Sequence, residues 1–238
     1  MGFRPVFIVI VVIGLFPSCK SPSIMQKTIL AEIPVQNFSK SIVLIDAGQI
    51  NTPGLAITKK REEVVSDITR NYLLSLPAIL EKDLQMKVFT DSTLTEQEKA
   101  LLLQNDNYIR SKIMERYDAN IIIIFQSYKG GFNQDYVDRL NYKGGYVDKQ
   151  AQYSVFFHTT LAIIQGNQMY VKYINANKYH SQRQVRSGLL ARGPGYAANK
   201  KDIAAMAHRN ASYVSGLFRD RKGTMNTRGQ FIEMDHGQ

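Results

Sequence analysis

Few side chains in this 238-residue chain are of types that do chemistry. His158 and His180 lie in two successive predicted strands, where they could be cross-strand neighbours and hold a metal ion. Neither a cysteine nor a His-x-x-x-His pair accompanies them, and a structural zinc site needs four ligands. Packed or surface histidines explain both residues better, so we predict no metal and no cofactor.

A catalytic set is equally hard to assemble. Asp46 ends a predicted strand, which is where α/β enzymes often place a carboxylate. The loop that follows, "AGQINTPG", has neither the ending nor the glycine spacing of a phosphate loop, and the chain has no Gly-x-Ser-x-Gly nucleophile motif. We therefore predict a protein without catalytic activity, although a second acidic group close to Asp46 in the fold would favour an envelope enzyme.

A basic segment is the clearest candidate for ligand binding. Residues 178–201, "KYHSQRQVRSGLLARGPGYAANKK", include no acidic side chain. Arginine binds phosphate or carboxylate through two parallel hydrogen bonds, and tyrosine stacks on sugars or bases. The alternative is a solvated basic loop beside a membrane. The candidate binding residues in this loop (183–201) are Arg183, Arg186, Arg192 and Tyr196.

A second candidate surface is the segment 129–150, "KGGFNQDYVDRLNYKGGYVDKQ". Its two Gly-Gly pairs and its aspartates predict a long loop or a loose hairpin arm, and long loops in compact domains are often functional. Exposed aromatic side chains suit a protein interface. The candidate residues here are Phe132, Tyr136, Tyr142 and Tyr146.

Strands are predicted to position both segments. The runs 41–48 and 119–128 are apolar and β-branched, and four consecutive isoleucines in the second indicate burial on both faces of a sheet. Residues 85–91 form a shorter predicted strand. A hairpin of 151–165 and 168–183 turns at Gly166-Asn167.

Three helices are predicted from apolar spacing of three and four residues. The first covers 61–82, with a kink or break at Pro77. The second starts at the capping box Thr95-x-x-Glu98 and ends near residue 117, and the third covers 200–220. The fold class is therefore α/β, a mixed sheet with flanking helices in two or three layers and the order β-α-β-α-β-β-β-α.

The amino-terminal residues predict where in the cell the protein is located. Arg4 precedes the apolar run 6–16, which is shorter than the roughly 20 residues that a membrane-spanning helix needs and suits a signal-peptide core. The only cysteine, Cys19, follows at once, which resembles the bacterial lipoprotein signal, whose cysteine carries diacylglycerol. The alternatives are an ordinary cleaved signal with an incidental cysteine and an uncleaved anchor.

Composition limits the remaining choices. A lone cysteine excludes an internally disulfide-stapled fold. The net charge of +10 suits an anionic neighbour or simple solubility, and outside the cytoplasm nucleic acid is not an expected partner. The predicted organisation is a signal peptide (1–18), a lipidated tether (19–40), a single α/β domain (41–222) and a disordered tail (223–238).

Three stretches carry a family resemblance: "AEIPVQNFSKSIVLIDAG", "YDANIIIIFQSY" and "AAMAHRNASYVSGL", the last two separated by a long hairpin. With the element order, they resemble a Bacteroidota lipoprotein family of unknown function. The wider resemblance, over roughly residues 30–220, is to the curli-secretion channel protein, the lipoprotein activators of penicillin-binding proteins and the amino-terminal domain of the Tol-system beta-propeller protein. That resemblance implies an anticodon-binding-like fold and brings no catalytic residues.

Together these observations predict a lipid-anchored accessory protein for binding or assembly in the cell envelope. We expect it at the periplasmic face of the outer membrane, with an envelope protein or peptidoglycan as partner. A subunit of an oligomeric outer-membrane secretion channel is the alternative. The sequence fixes neither the partner nor the oligomeric state.

Overall fold

The computed structural model describes residues 25–35, 40–52, 59–140, 147–184, 196–225 and 231–233. Side chains are described over 27–35, 40–52, 62–132, 154–178 and 200–224. The chain divides into a larger unit, residues 31–219, and a smaller unit formed by the residues before and after it.

The larger unit contains four helices and five strands within these ranges. Four consecutive isoleucines, 121–124, are fully buried in one of the strands, as the sequence predicts. The elements are β2 (Ser41–Asn51), α1 (Lys59–Leu84), β3 (Val88–Asp91), α2 (Glu96–Leu103), α3 (Asn107–Tyr117), β4 (Ala119–Leu140), β5 (Val147–Gln165), β6 (Gln168–Gln184) and α4 (Tyr196–Ser215), and β1 (Met25–Ile29) precedes them in the smaller unit.

The five strands form one mixed sheet in the order β3-β2-β4-β5-β6. The first three run parallel, and β4, β5 and β6 are antiparallel. Alternate residues face opposite sides of a strand, so Ile42 and Leu44 pack with α1 and α4 while Val43 and Ile45 pack with α2 and α3. The predicted mixed α/β class is confirmed, in three layers.

The first predicted helix is longer than expected and is not broken. Pro77 lies inside α1, where it has no N–H to donate to the preceding turn. Leu76 and Leu80, on either side of it, are fully buried in the core between α1 and the sheet. Because packing rather than propensity stabilises most helices in proteins, this burial compensates for the missing hydrogen bond.

The second predicted helix is two helices. The capping box at the start of α2 is present, with Thr95 and Glu98 each bonded to the other's backbone N–H. The chain then leaves the helix at Asn105, whose φ of 60° is left-handed, and Asp106 starts α3 by accepting a hydrogen bond from the N–H of Ile109 at 3.0 Å. An N-cap inside a helical pattern restarts the helix in a new direction.

The smaller unit is a three-stranded antiparallel sheet in the order β1-β7-β8, where β7 is Arg221–Met225 and β8 is Phe231–Glu233. Register pairs include Met25↔Met225 and Gly223↔Glu233. These strands replace the disordered tail that we predicted from residue 223 onward. The prediction was wrong for these strands because β7 pairs with β1, which lies far earlier in the chain, and local polarity does not reveal that pairing.

Candidate functional site

The segment 129–150 belongs to a paired hairpin. β4 continues to Leu140 and β5 starts at Val147, and the two strands stay in register from Asn133↔Ser154 to Leu140↔Val147. At about 3.3 Å per residue, positions 133–140 extend the sheet by roughly 25 Å. The hairpin alternative of our prediction is therefore the observed one. Tyr142 and Tyr146 lie outside the described residues.

The sheet joins the two segments that were predicted separately. Tyr136 pairs with Ala151 on β5, and Ala151 pairs in turn with Arg183 on β6. One candidate from the arm and one from the basic segment thus occupy a single cross-strand row, which we call the distal row. Tyr196 is the first residue of α4. Arg186, Arg192 and Cys19 lie outside the described residues.

Phe132 does not fit the predicted interface. Its side chain is half-buried and packs against the core shared by α1 and α4. The preceding Gly130 explains why, because a Cβ there would lie 3.2 Å from Cγ1 of Val65 on α1. The first Gly-Gly pair therefore lets the helix approach the sheet closely, and Phe132 is a core residue.

Asp46 lies within β2, at an irregularity in its pairing with β4, and acts there as a hydrogen-bond acceptor. Its Oδ1 accepts from the Tyr128 hydroxyl at 2.9 Å and from the N–H of Gly48 at 3.0 Å. Burial, and then the charge of Asp46, raise the pKa of Tyr128 far above its usual range, so the hydroxyl remains a donor. A Cβ at Gly48 would come within 2.2 Å of the Tyr128 ring, so this approach requires glycine.

A second acidic residue lies on the neighbouring strand but does not pair with Asp46. Asp91 of β3 is in register with Ile45, which belongs to the α2–α3 core, whereas Asp46 bonds to Tyr128 in the opposite core. The carboxylate of Asp91 accepts from both the N–H and the hydroxyl of Thr93, at 2.8 and 2.7 Å. It also forms an ion pair with Arg116 at 3.4 Å. The two carboxylates therefore serve separate local structures.

The two histidines are not cross-strand neighbours. His158 pairs with Asn175, and His180 pairs with Tyr153. Within the described part of the chain, no group of three or more His, Cys, Asp or Glu side chains could hold a metal ion. The metal-site alternative loses its geometric basis, because the two backbone positions are five residues apart along the sheet.

His158 instead belongs to a hydrogen-bonded cluster on the α2–α3 side of the sheet. Its Nε2 lies 2.8 Å from Oδ1 of Asn177, and its Nδ1 lies 2.9 Å from the Tyr173 hydroxyl. Because an amide oxygen only accepts, Nε2 carries the proton, and the neutral ring accepts at Nδ1. Burial is the main cause that lowers the pKa of His158, and the nearby charge of Lys129 adds to it.

A groove at the amino ends of the parallel strands was not predicted. It encloses about 580 Å³, and its lining includes Lys40, Lys87 and Arg116. The rings of Phe89 and Tyr117 lie in it with centroids 5.4 Å apart. The sequence carried no signal for this groove, because Phe89 stands in a short predicted strand and its exposure follows from the fold.

Comparison with known proteins gives only distant likenesses. No family model matches the chain, and no curated protein matches it. A neuraminyllactose-binding hemagglutinin homolog from Helicobacter pylori has 10% identity and a TM-score of 0.43, over 78% of this chain and 87% of that one. A hypothetical protein of Chlamydia trachomatis has 11% identity and a TM-score of 0.35, over 75% and 98%.

A PelC dodecamer from Paraburkholderia phytofirmans has 14% identity and a TM-score of 0.31, over 82% of this chain and 99% of that one. Scores this low carry no argument about function. Among the described residues, no helix is both long enough and apolar enough to cross a membrane.

Proposed function

We propose that this chain is a lipid-anchored accessory protein of the bacterial cell envelope, without catalytic activity. It is attached through Cys19 at the periplasmic face of the outer membrane. It binds an envelope protein or a peptidoglycan fragment through the distal row. The observation that carries the proposal is the register Tyr136–Ala151–Arg183, which places an aromatic position on β4 and a basic position on β6 in one row across β5.

The side chains that might have done chemistry support binding rather than catalysis. Asp46 in β2 and Asp91 at the end of β3 accept hydrogen bonds in separate local structures, and His158 is held between Tyr173 and Asn177. A nucleophile and a general base must be within hydrogen-bond reach of each other. Each of the three groups does lie within reach of a hydroxyl, of Tyr128, Thr93 or Tyr173, and we interpret these bonds as structural because the three pairs lie in separate parts of the sheet.

Site-specific cross-linking in intact cells tests the binding surface. A photoreactive amino acid is placed at Tyr136 or at Arg183, and at Tyr108 as a control, because Tyr108 is an exposed aromatic residue on α3. We expect positions 136 and 183 to capture the same partner and position 108 to capture none. Different partners at 136 and 183, or the same capture at 108, would refute the distal row.

The same experiment separates the accessory role from the channel alternative. A subunit of a ring or channel would give a ladder of the protein cross-linked to itself, extending beyond two copies. Such a ladder from position 136 or 183 would replace the accessory proposal by the channel.

Metabolic labelling tests the anchor. Cells that express the chain are grown with labelled palmitate, and the Cys19→Ala variant is compared with the wild type. We expect label in the wild type alone, because diacylglycerol attaches to the cysteine thiol. Label that persists in the variant would remove lipid anchoring from the proposal and leave the distal row to be judged by cross-linking.

A further inference from the structure

β6 is the last strand of the five-stranded sheet and is 17 residues long. A strand at the edge of a sheet leaves a row of backbone N–H and C=O groups without a strand partner, and most native proteins keep such edges short or covered. In the described ranges, no backbone–backbone hydrogen bond reaches β6 apart from its ladder with β5. β6 is therefore a long edge with one paired side.

The hairpin turn determines which residues of β6 point their backbone outward. Gly166 has a φ of 58° in the two-residue turn, and Gln165 pairs with Gln168 to close it. The closing pair of such a turn exchanges both hydrogen bonds, and the pairs then alternate along the ladder. The N–H and C=O groups of the odd-numbered residues, including Val171 and Tyr173, therefore face away from β5.

A contact from α4 supports this assignment. The guanidinium of Arg209 donates from Nη1 to the backbone oxygen of Asn177 at 3.4 Å. Asn177 belongs to the odd-numbered set, so its carbonyl is free to accept a bond from outside the ladder. Side chains on the outward positions are exposed as well: Val171 keeps 63% of its surface accessible and Tyr173 keeps 55%.

The charges beside this edge indicate which kind of segment could bind there. On the side of the sheet that faces α4, β6 carries Lys172 and Lys178, which form ion pairs of 2.7 and 2.9 Å with Glu32 and Asp202, and Arg209 of α4 lies beside the edge. Lysines on an edge strand discourage pairing with a second copy, and a chain of net charge +10 repels its own copies. The positive charge that remains beside these two ion pairs, at Arg209 and over the chain as a whole, favours an acidic strand.

We infer that the outer edge of β6, residues 169–177, is a docking site for an extended acidic segment of another protein. The segment would add to the sheet as a sixth strand, through backbone hydrogen bonds to the odd-numbered residues. Its acidic side chains would face Lys172 and Lys178, and its apolar side chains would lie beside Val171 and Tyr173. This site does not depend on the distal row or on lipid anchoring.

Binding of a designed strand tests the inference. The probe is a labelled nine-residue peptide of alternating glutamate and valine, and its control is the same peptide with lysine in place of glutamate. The full chain is titrated in detergent by fluorescence anisotropy at low and high salt. We expect binding of the glutamate peptide that weakens with salt, because opposite charges attract it, and no measurable binding of the lysine peptide.

Two variants at one position test the backbone contact. Val171→Pro removes an outward N–H and leaves the ladder with β5 intact, whereas Val171→Thr keeps that N–H and the β-branched shape. We expect the proline variant to bind the glutamate peptide roughly tenfold more weakly and the threonine variant to bind like the wild type. Circular dichroism checks folding, and Asn175→Pro replaces Val171→Pro if the latter does not fold.

Three results would overturn the inference. The first is equal binding of the glutamate peptide by the proline and threonine variants, and the second is equal binding of the glutamate and lysine peptides. The third is a wild type that dimerises in sedimentation while Val171→Pro stays monomeric, since β6 would then pair with a second copy. None of them changes the cross-linking expected at Tyr136 and Arg183, so the two proposals fail separately.

Discussion

The two edge strands of the five-stranded sheet, β3 and β6, differ in what lies against their outward backbone groups. β3 has four residues, and its Val88 N–H donates to Oε1 of Glu81 at 3.1 Å. Ile42 donates to the carbonyl of Lys87, which fixes the phase of the parallel ladder and places the Val88 N–H on the outer side. A side chain from α1 thus closes this edge, while β6 offers a longer row with exposed Val171 and Tyr173.

This difference shows that the two edges are protected by different means. Glu81 satisfies one outward N–H of a strand that has only two outward residues. It cannot cover 17 residues. β6 relies on the charges of Lys172 and Lys178, which act against a second copy of the chain and leave the edge open to an acidic partner.

The largest effect should come from the polar group that holds β6 to the rest of the core. Asn210 of α4 is fully buried, and its Oδ1 accepts from the hydroxyls of Tyr72 and Thr159 at 3.1 and 3.0 Å. Its Nδ2 donates to the carbonyl of Ile174 on β6 at 3.0 Å. Asn210→Ala removes the shared acceptor of both buried hydroxyls and the donor to Ile174, and should lower the free energy of unfolding by about 4 kcal/mol.

Urea unfolding measures this loss, and Asn175→Ala is the matched control. Asn175 is exposed on the open side of β6, so its substitution should change the free energy of unfolding by about 0.5 kcal/mol or less. Equal losses in the two variants would mean that β6 is not anchored through α4.

The next effect separates the inward and outward positions of β6. Lys172 is in register with Leu161 in a hydrogen-bonded pair. Lys172→Pro therefore removes one hydrogen bond of the ladder and leaves a buried carbonyl without its donor. We expect a loss of about 3 kcal/mol in the free energy of unfolding. Val171→Pro, one residue earlier, removes only an outward N–H and should cost about 1 kcal/mol or less. Urea unfolding of both variants checks the order, and the reverse order would show that the ladder phase is shifted by one residue.

A smaller effect is expected at the closed edge. Glu81→Ala removes the acceptor of the Val88 N–H and should lower the free energy of unfolding by about 1 kcal/mol. It should also speed hydrogen exchange of the Val88 amide, which mass spectrometry or NMR can follow. Glu63→Ala is the control, because it gives the same gain in helix propensity on an exposed part of α1. Equal exchange rates in both variants would contradict edge closure by Glu81.

Local patterns predicted the elements well where each residue's environment follows from its neighbours in sequence. Residues 121–124 predicted a strand buried on both faces, Thr95 and Glu98 predicted a helix start, and Gly166-Asn167 predicted a turn, all of which the structure confirms. Asn105 and Asp106 were an available signal for the break between α2 and α3. The helical pattern on both sides of these two residues was strong, so we predicted one continuous helix instead of two.

Non-local pairing accounts for what the sequence could not show. The distal row depends on the register of three strands, and one residue of slip would separate Tyr136 from Arg183. Phe132 was assigned to an interface because its glycine neighbours suggested a loop, whereas Gly130 is there to admit α1. Which backbone groups of β6 point outward depends on its pairing with β5, and no local sequence pattern specifies that pairing.

The smallest effect concerns protonation at the base of the β6 edge. Burial lowers the pKa of His158 below its ordinary 6.5, so between the two values the unfolded chain binds more protons than the folded one. The free energy of unfolding should therefore fall as the pH drops below about 6.5, and level off below the folded pKa. Because half of the ring is exposed, we expect a loss of about a few tenths of a kcal/mol.

NMR titration of His158 gives its folded pKa directly, and urea unfolding between pH 7 and 5 gives the stability change. His158→Gln should remove this part of the pH dependence. Lys129→Met should raise the folded pKa, because Lys129 lies opposite His158 on β4 and its charge opposes protonation. A folded pKa of 6.5 would remove this pH dependence, and one above 6.5 would reverse its sign. It would also mean that the ring is charged beside Tyr173, where the open edge would then carry an additional cation for an acidic strand.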